Sequence, residues 1–296
     1  MRKGLFEVAR RQHGAFTVRQ ARGWYSDQEV RTRLRSGQWS RLHKGVLTAG
    51  PPSLNTRLAA AGLAIGAPLV ACLHSAAELH GFGVVATDRV HVIDPGGHLP
   101  KRDRLMLHQL DVPAAEIVQV DGLAATEPAR TAVELARRVD RSRALAVLDA
   151  ALHSGTATVE QLADQCERQA KRRGIVEIRR LLPHDADGRA ESPMESATRL
   201  VCLMAGLPAP QLQFPVLDGT GRPCRYLDLA WPDRKVALEY DGVEAHTGPI
   251  ALRRDRARHN FLVERGWTII YATADDVRNH PHRLVRRIRA ALDRAA

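Results

Sequence analysis

Between Arg225 and His246 the chain reads RYLDLAWPDRKVALEYDGVEAH, and no other stretch restricts the fold as tightly. Two short runs of Leu, Val, Ala and aromatic residues flank Pro232-Asp233-Arg234, the composition of a tight β-hairpin. A turn centred on Asp233 and Arg234 sets Trp231 opposite Val236, and counting back along both arms sets Asp228 opposite Glu239. Side chains alternate along a strand, so Asp241 shares a face with Glu239. Like charges across a ladder are unfavourable, and three acids there require a cation, a proton or water to offset them. A divalent metal held by Asp228, Glu239 and Asp241 is the preferred reading. The plain alternative is that Asp241-Gly242 is an ordinary turn and Asp228 lies on a solvated face, although Leu227, Leu229, Ala230 and Trp231 leave little sign of a wet side.

A chain of 296 residues suggests about two domains with real cores. Lys and Arg total 44 against 33 Asp and Glu, a formal charge of +11, with 44% hydrophobic residues. That balance describes a folded, strongly basic protein whose partner is a polyanion, nucleic acid first. Cys72, Cys166, Cys202 and Cys224 are far apart and form no Cys-x-x-Cys pair. A zinc site or disulfide framework is therefore not expected, and thiols in a reducing cytoplasm are. No run reaches the roughly 18 apolar residues of a membrane span. The expected localisation is cytoplasmic, without a membrane partner.

The first fifty residues read as three helices and a basic hairpin. A short apolar stripe ends at His13-Gly14, Thr17 caps a second helix, and Ser26-Asp27-Gln28-Glu29 spells a capping box that opens a third. In that third helix Val30 and Leu34 point inward, while Arg31 and Arg35 form a basic stripe with Arg33 nearby. QWSRLHKGVLTAG follows as two short strands around the tip Arg41 to Lys44. The order is that of a winged helix-turn-helix, with Arg31, Arg33, Arg35, Arg41 and Lys44 as candidate DNA contacts; the bland reading is a small helical domain with solvated arginines. Gly14 to Thr17, Gly37 to Trp39 and Gly45-Val46 match a pattern of the AbiEi antitoxins, and the segment resembles their N-terminal winged-helix domain. The resemblance implies a DNA-binding autoregulator or a fusion to other domains.

Residues 51–183 read as an α+β middle domain with alternating helical and strand-like runs. His74, His80, His91, His98 and His108 show no ligand spacing and are read as structural or surface groups. Asp149 and His153, four apart, read as a local pair. The segment looks like the region that follows the winged helix in AbiEi-like proteins, which implies a partner-binding or spacer role, so a protein partner is expected through this domain.

PHDADGRA at 183–190 reads as a domain boundary. Ser192-Pro193-Met194-Glu195 then opens a helix, in which Glu195 closes a capping box or adds to a site. The remaining order of helix, strand, hairpin, helix, strand, helix predicts an α/β sandwich with a mixed sheet. Glu195, Asp228, Glu239-x-Asp241-Gly242, His246, Arg254-Asp255 and Gly266-Trp267 together look like the Vsr-like branch of the PD-(D/E)XK, restriction-endonuclease-like superfamily, over residues 190–296. The resemblance implies a Mg2+- or Mn2+-dependent endonuclease. Asp228 would be the central ligand, Glu195 an acidic helix residue at the site, Glu239 to Asp241 the other wall, and His246 with Asp255 the pair that activates water. The signature Lys is replaced by Asp241, and the Pro before Asp228 by Leu227.

The whole chain is thus expected to be an α+β multidomain protein. A metal held by carboxylates, with an imidazole to take the proton of water, suits phosphodiester hydrolysis, and Arg253, Arg254 and Arg258 suit the nucleic-acid backbone. The first expectation is a metal-dependent DNA endonuclease guided by a winged helix. The second is a DNA-binding transcriptional regulator or antitoxin of the AbiEi type, with RNA as a further substrate class that phosphate contacts do not separate from DNA.

Overall fold

The computed structural model describes every residue except 86, 95, 242–248 and 296. The chain forms two compact units, one of Met1–Leu135 with Ser154–Gln169, the other of Ala136–His153 with Ala170–Ala296. Each combines helices with β-sheet, so the α+β multidomain class holds. The units do not divide at residues 50 and 183–190. A polar stretch bearing Gly and Pro marks a loop, but whether it parts two domains depends on which apolar faces meet, and composition does not record that.

The first unit opens with α1 (Lys3–Arg11), β1 (Ala15–Thr17), α2 (Val18–Arg22), α3 (Asp27–Arg35), β2 (Ser40–His43) and β3 (Val46–Thr48). Thr17 with Gln20, and Ser26 with Glu29, form reciprocal capping boxes at the starts of α2 and α3. The strands pair antiparallel in the order β1-β3-β2, and the β2–β3 hairpin turns at Lys44-Gly45, where Gly45 takes φ 80°. Leu5, Phe16, Ala21, Tyr25, Val30, Trp39 and Leu47 form the core of this part. Trp39 meets Phe16 and Tyr25 edge-on at 5.0 and 5.1 Å, a favoured aromatic geometry.

The same unit continues through α4 (Leu54–Ile65), β4 (Val70–Ala71), α5 (Leu73–Leu79), β5 (Val90–Ile93), β6 (Leu105–His108), β7 (Ile117–Val120), β8 (Leu123–Thr126) and α6 (Pro128–Ala136). Its sheet runs β6-β5-β4-β8-β7, with Leu54, Leu58, Val90, Val92 and Leu105 in the core. A buried ion cluster braces it: Arg130 pairs with Glu116 and, at 2.9 Å, with Glu134.

After α7 (Arg141–His153), α8 (Val159–Arg168) and α9 (Ile175–His184) come α10 (Pro193–Met204), β9 (Gln211–Leu217), β10 (Pro223–Trp231), β11 (Val236–Tyr240), α11 (Pro249–Glu264), β12 (Thr268–Ala272), α12 (Ala274–Arg278) and α13 (Pro281–Arg294). The sheet of the second unit is mixed, in the order β12-β11-β10-β9, with β11 and β12 parallel. Trp231 lies opposite Val236 as the hairpin spelling predicts. Leu229, Trp231, Val236, Leu238 and Ile270 share a core with Leu284 and Ile288 of α13, while Ala230 and Ala237 pack with Leu262 of α11 and with Trp267. Asp149 does not pair with His153. Its carboxylate takes the Arg199 guanidinium at 2.7 Å and the Asp187 N–H at 2.7 Å, while His153 bonds the Gly188 carbonyl.

Candidate nucleic-acid interface and a buried carboxylate cluster

On α3 the residues divide by helical phase. Val30 is buried and Leu34 packs on the same core. Arg31 and Arg35, one turn apart, are exposed, as are Arg41 and Lys44 of the β2–β3 hairpin. None of these four forms an ion pair among the described residues, so their charge is turned to solvent. Arg33 is different. Its guanidinium lies 4.4 Å from the centre of the Tyr25 ring and 5.5 Å from that of Trp39, a cation–π arrangement. Arg2 lies over Tyr25 as well, at 4.6 Å, and pairs with Glu29 at 2.8 Å. The roles of Arg2 and Tyr25 carried no signal in the sequence, because they arise from contacts between residues more than twenty positions apart.

In the second unit Asp228 lies near enough to Glu195 and to Glu239 for its charge to act on both. Glu195 opens α10, buried, and accepts from the Glu191 N–H at 3.0 Å and the Gln213 amide at 3.1 Å. Gln213 reaches it from a left-handed backbone, φ 47°. Asp228 accepts the Tyr240 N–H at 2.9 Å. Glu239 is buried and takes Arg258 at 2.6 Å, leaving its other oxygen without a partner. Burial pushes the Glu239 carboxyl up to about 7, with the Asp228 charge adding to the shift and Arg258 opposing it. Burial also raises Asp228 and Glu195, the latter with help from the charge of Asp228. These are the signs of carboxylates crowded away from water.

The other expected site residues are placed differently. Asp241 follows β11 and is exposed. His246 lies outside the described residues, as do the side chains of Arg254 and Asp255; Arg253 is exposed on α11. Arg258, expected on the nucleic-acid backbone, donates to Glu239 and to the Tyr226 carbonyl, the latter at 2.9 Å. Among the described residues no three His, Cys, Asp or Glu side chains are grouped to hold a metal ion. In the first unit His91 and His108 share a hydrogen bond of 2.9 Å, with His74 edge-on to His91. Burial, with His74, His108 and Arg89, pushes His91 down to about 4.

Two family models match this chain. Residues 5–48 match one described as a transcriptional regulator, AbiEi antitoxin, and residues 69–184 match the AbiEi antitoxin C-terminal domain. Uncharacterized proteins from two strains of Mycobacterium tuberculosis are each 45% identical over 268 residues, spanning 90% of this chain and 97% of theirs. The chain carries AbiEi antitoxin domains and belongs to the family of these relatives.

The AbiEi matches correct the first expectation from the sequence, a metal-dependent DNA endonuclease. Both are described as antitoxin or regulator domains, which is the second reading. The acidic pattern misled for a physical reason. Carboxylates across a hairpin have the same spacing whether they hold a metal or are offset by an arginine from a neighbouring helix, and Arg258 on α11 fills that place beside Glu239. Among the described residues no helix of the chain is long and apolar enough to cross a membrane.

Proposed function

We propose that this protein is a DNA-binding transcriptional regulator of the AbiEi antitoxin type. In this reading α1 to α3 and the β2–β3 hairpin work as a winged helix-turn-helix, with α3 entering the major groove. The observation that carries it is the coincidence, on the segment matching the regulator model, of two exposed arginines one helical turn apart with an exposed basic hairpin. Arg31 and Arg35 reach base edges or phosphates, and Arg41 and Lys44 hold the backbone beside them. Arg33 fixes the angle of α3 through Tyr25 and Trp39 and is a positioning residue.

Titration of labelled duplexes, one from upstream of the protein's own gene and one unrelated, tests this across a series of salt concentrations. The upstream duplex is expected to bind more tightly. Arg31→Ala with Arg35→Ala should flatten the slope of log K against log salt by roughly 0.9 for each phosphate that the protein no longer neutralises. Equal affinity for both duplexes, or an unchanged slope in the double variant, overturns the reading.

A further inference from the structure

A cleft in the second unit is built from two basic stretches far apart in the chain. It is open to solvent, offers about 440 Å3 and is lined by Arg137, Arg138, Val139 and Arg173. Lys171 and Arg172 precede Arg173 in the chain and, like Arg138 and Arg173, are exposed. The acids nearest in sequence are already engaged: Asp140 with Arg143 at 3.4 Å, and Glu177 with Arg141 at 2.9 Å. Among the described residues Arg138, Lys171, Arg172 and Arg173 form no ion pair.

The backbone holds this arrangement in place. The Arg137 guanidinium donates to the Arg173 carbonyl at 3.4 Å. Gly174 has φ 87°, and a Cβ at that position would come within 2.2 Å of the Arg137 carbonyl oxygen. Only glycine allows so close an approach in a left-handed conformation. The exposed charges of Arg138 and Arg173 are therefore gathered around one space by a close backbone contact, with Lys171 and Arg172 next to Arg173 in the chain, which makes that space favourable for an anion.

We propose that this cleft is an anion site for a phosphate-bearing ligand of nucleotide size. Guanidinium groups present paired N–H donors that match phosphate oxygens, and several of them suit a di- or triphosphate better than one carboxylate. The volume falls within the roughly 300–1,000 Å3 of small-ligand sites. A free nucleotide and a nucleic-acid backbone present the same chemistry, and the experiment separates them.

Calorimetric titration of the full chain with inorganic pyrophosphate and with ATP, at about one-tenth molar salt so that charges are not fully screened, is the test. One-to-one binding of at least one probe is expected, weakened at least tenfold by Arg138→Gln with Arg173→Gln. Both positions are exposed, so this variant should melt like the parent. Binding should be unchanged by Arg31→Ala with Arg35→Ala, which separates this site from the proposed DNA reader. In that second background a short duplex that displaces the probe identifies the nucleic-acid backbone as the source, and one that does not identifies a free nucleotide; either outcome supports a phosphate site. No binding of either probe, or equal affinity in Arg138→Gln with Arg173→Gln, overturns the proposal.

Discussion

Glu239 sits where its charge is costly. Its carboxyl is raised to about 7 by burial and by Asp228, so between the ordinary carboxylate range near 4.5 and pH 7 the folded protein binds a proton that the unfolded chain has lost. Stability from this group is therefore greatest at low pH and declines as pH rises through that window. Even with Arg258 opposing it, the shift to about 7 corresponds to on the order of 3 kcal/mol. Glu239→Gln removes the slope, so the difference in unfolding free energy between variant and parent should move in favour of the variant from pH 5 to pH 8. Urea titrations at pH 5, 6 and 8 measure it, and a difference independent of pH would falsify this account. Asp149, whose carboxyl burial also raises against the pull of Arg199, forms with Arg199 an ion pair almost wholly shut from water at 1% and 6% side-chain exposure. Arg199→Ala strands a buried carboxylate and should cost about 3–5 kcal/mol, most of it recovered when Asp149→Leu is added. Additive losses in the double variant would show that the pair is not coupled.

At the scale of elements, what is written locally was legible. The Ser26–Glu29 box, the Thr17 cap, the inward pair Val30 and Leu34, and the Trp231–Val236 register all follow from spacing within a few residues. What was not legible depends on distant partners. β4 has two residues, too short for periodicity to register, and it exists as a strand because its neighbours pair with it. The partner of Asp149 lies 50 positions away, so the nearer His153 looked like the match. At the candidate site the nearness of Asp228 to Glu239 was readable from the hairpin register, while Arg258 as the partner of Glu239 was not. α3 shows the same division within one helix: the sequence marks Arg31, Arg33 and Arg35 alike, and only Arg33 has aromatic rings beneath it. Arg33→Ala should lower the melting temperature, with about 0.5–2 kcal/mol lost from the cation–π interaction, while leaving the salt slope of DNA binding unchanged. Arg31→Ala should do the reverse. Calorimetry paired with duplex titration separates them, and a flattened slope in Arg33→Ala would return that residue to the DNA contacts.

For the molecule as a whole, the division into units decides which fragments stand alone. α7 belongs with the C-terminal residues: it packs against α9 and α10, and its Asp149 holds Arg199 of α10. Leu145, Val147 and Leu148 of α7 are fully buried, and burying such side chains contributes about 1.5–3 kcal/mol each. A fragment of residues 190–296, cut where the polar PHDADGRA stretch invites it, lacks α7 and keeps Arg199 without its carboxylate. That fragment should be poorly soluble and melt without a sharp transition, whereas residues 136–296 include the whole second unit and should unfold cooperatively. The loss expected from α7, several kcal/mol, is comparable with the entire stability of an ordinary domain, so the contrast should be large. Matched melting curves for the two fragments would mean that α7 contributes little to the unit, and that the boundary suggested by composition is the one at which the chain divides.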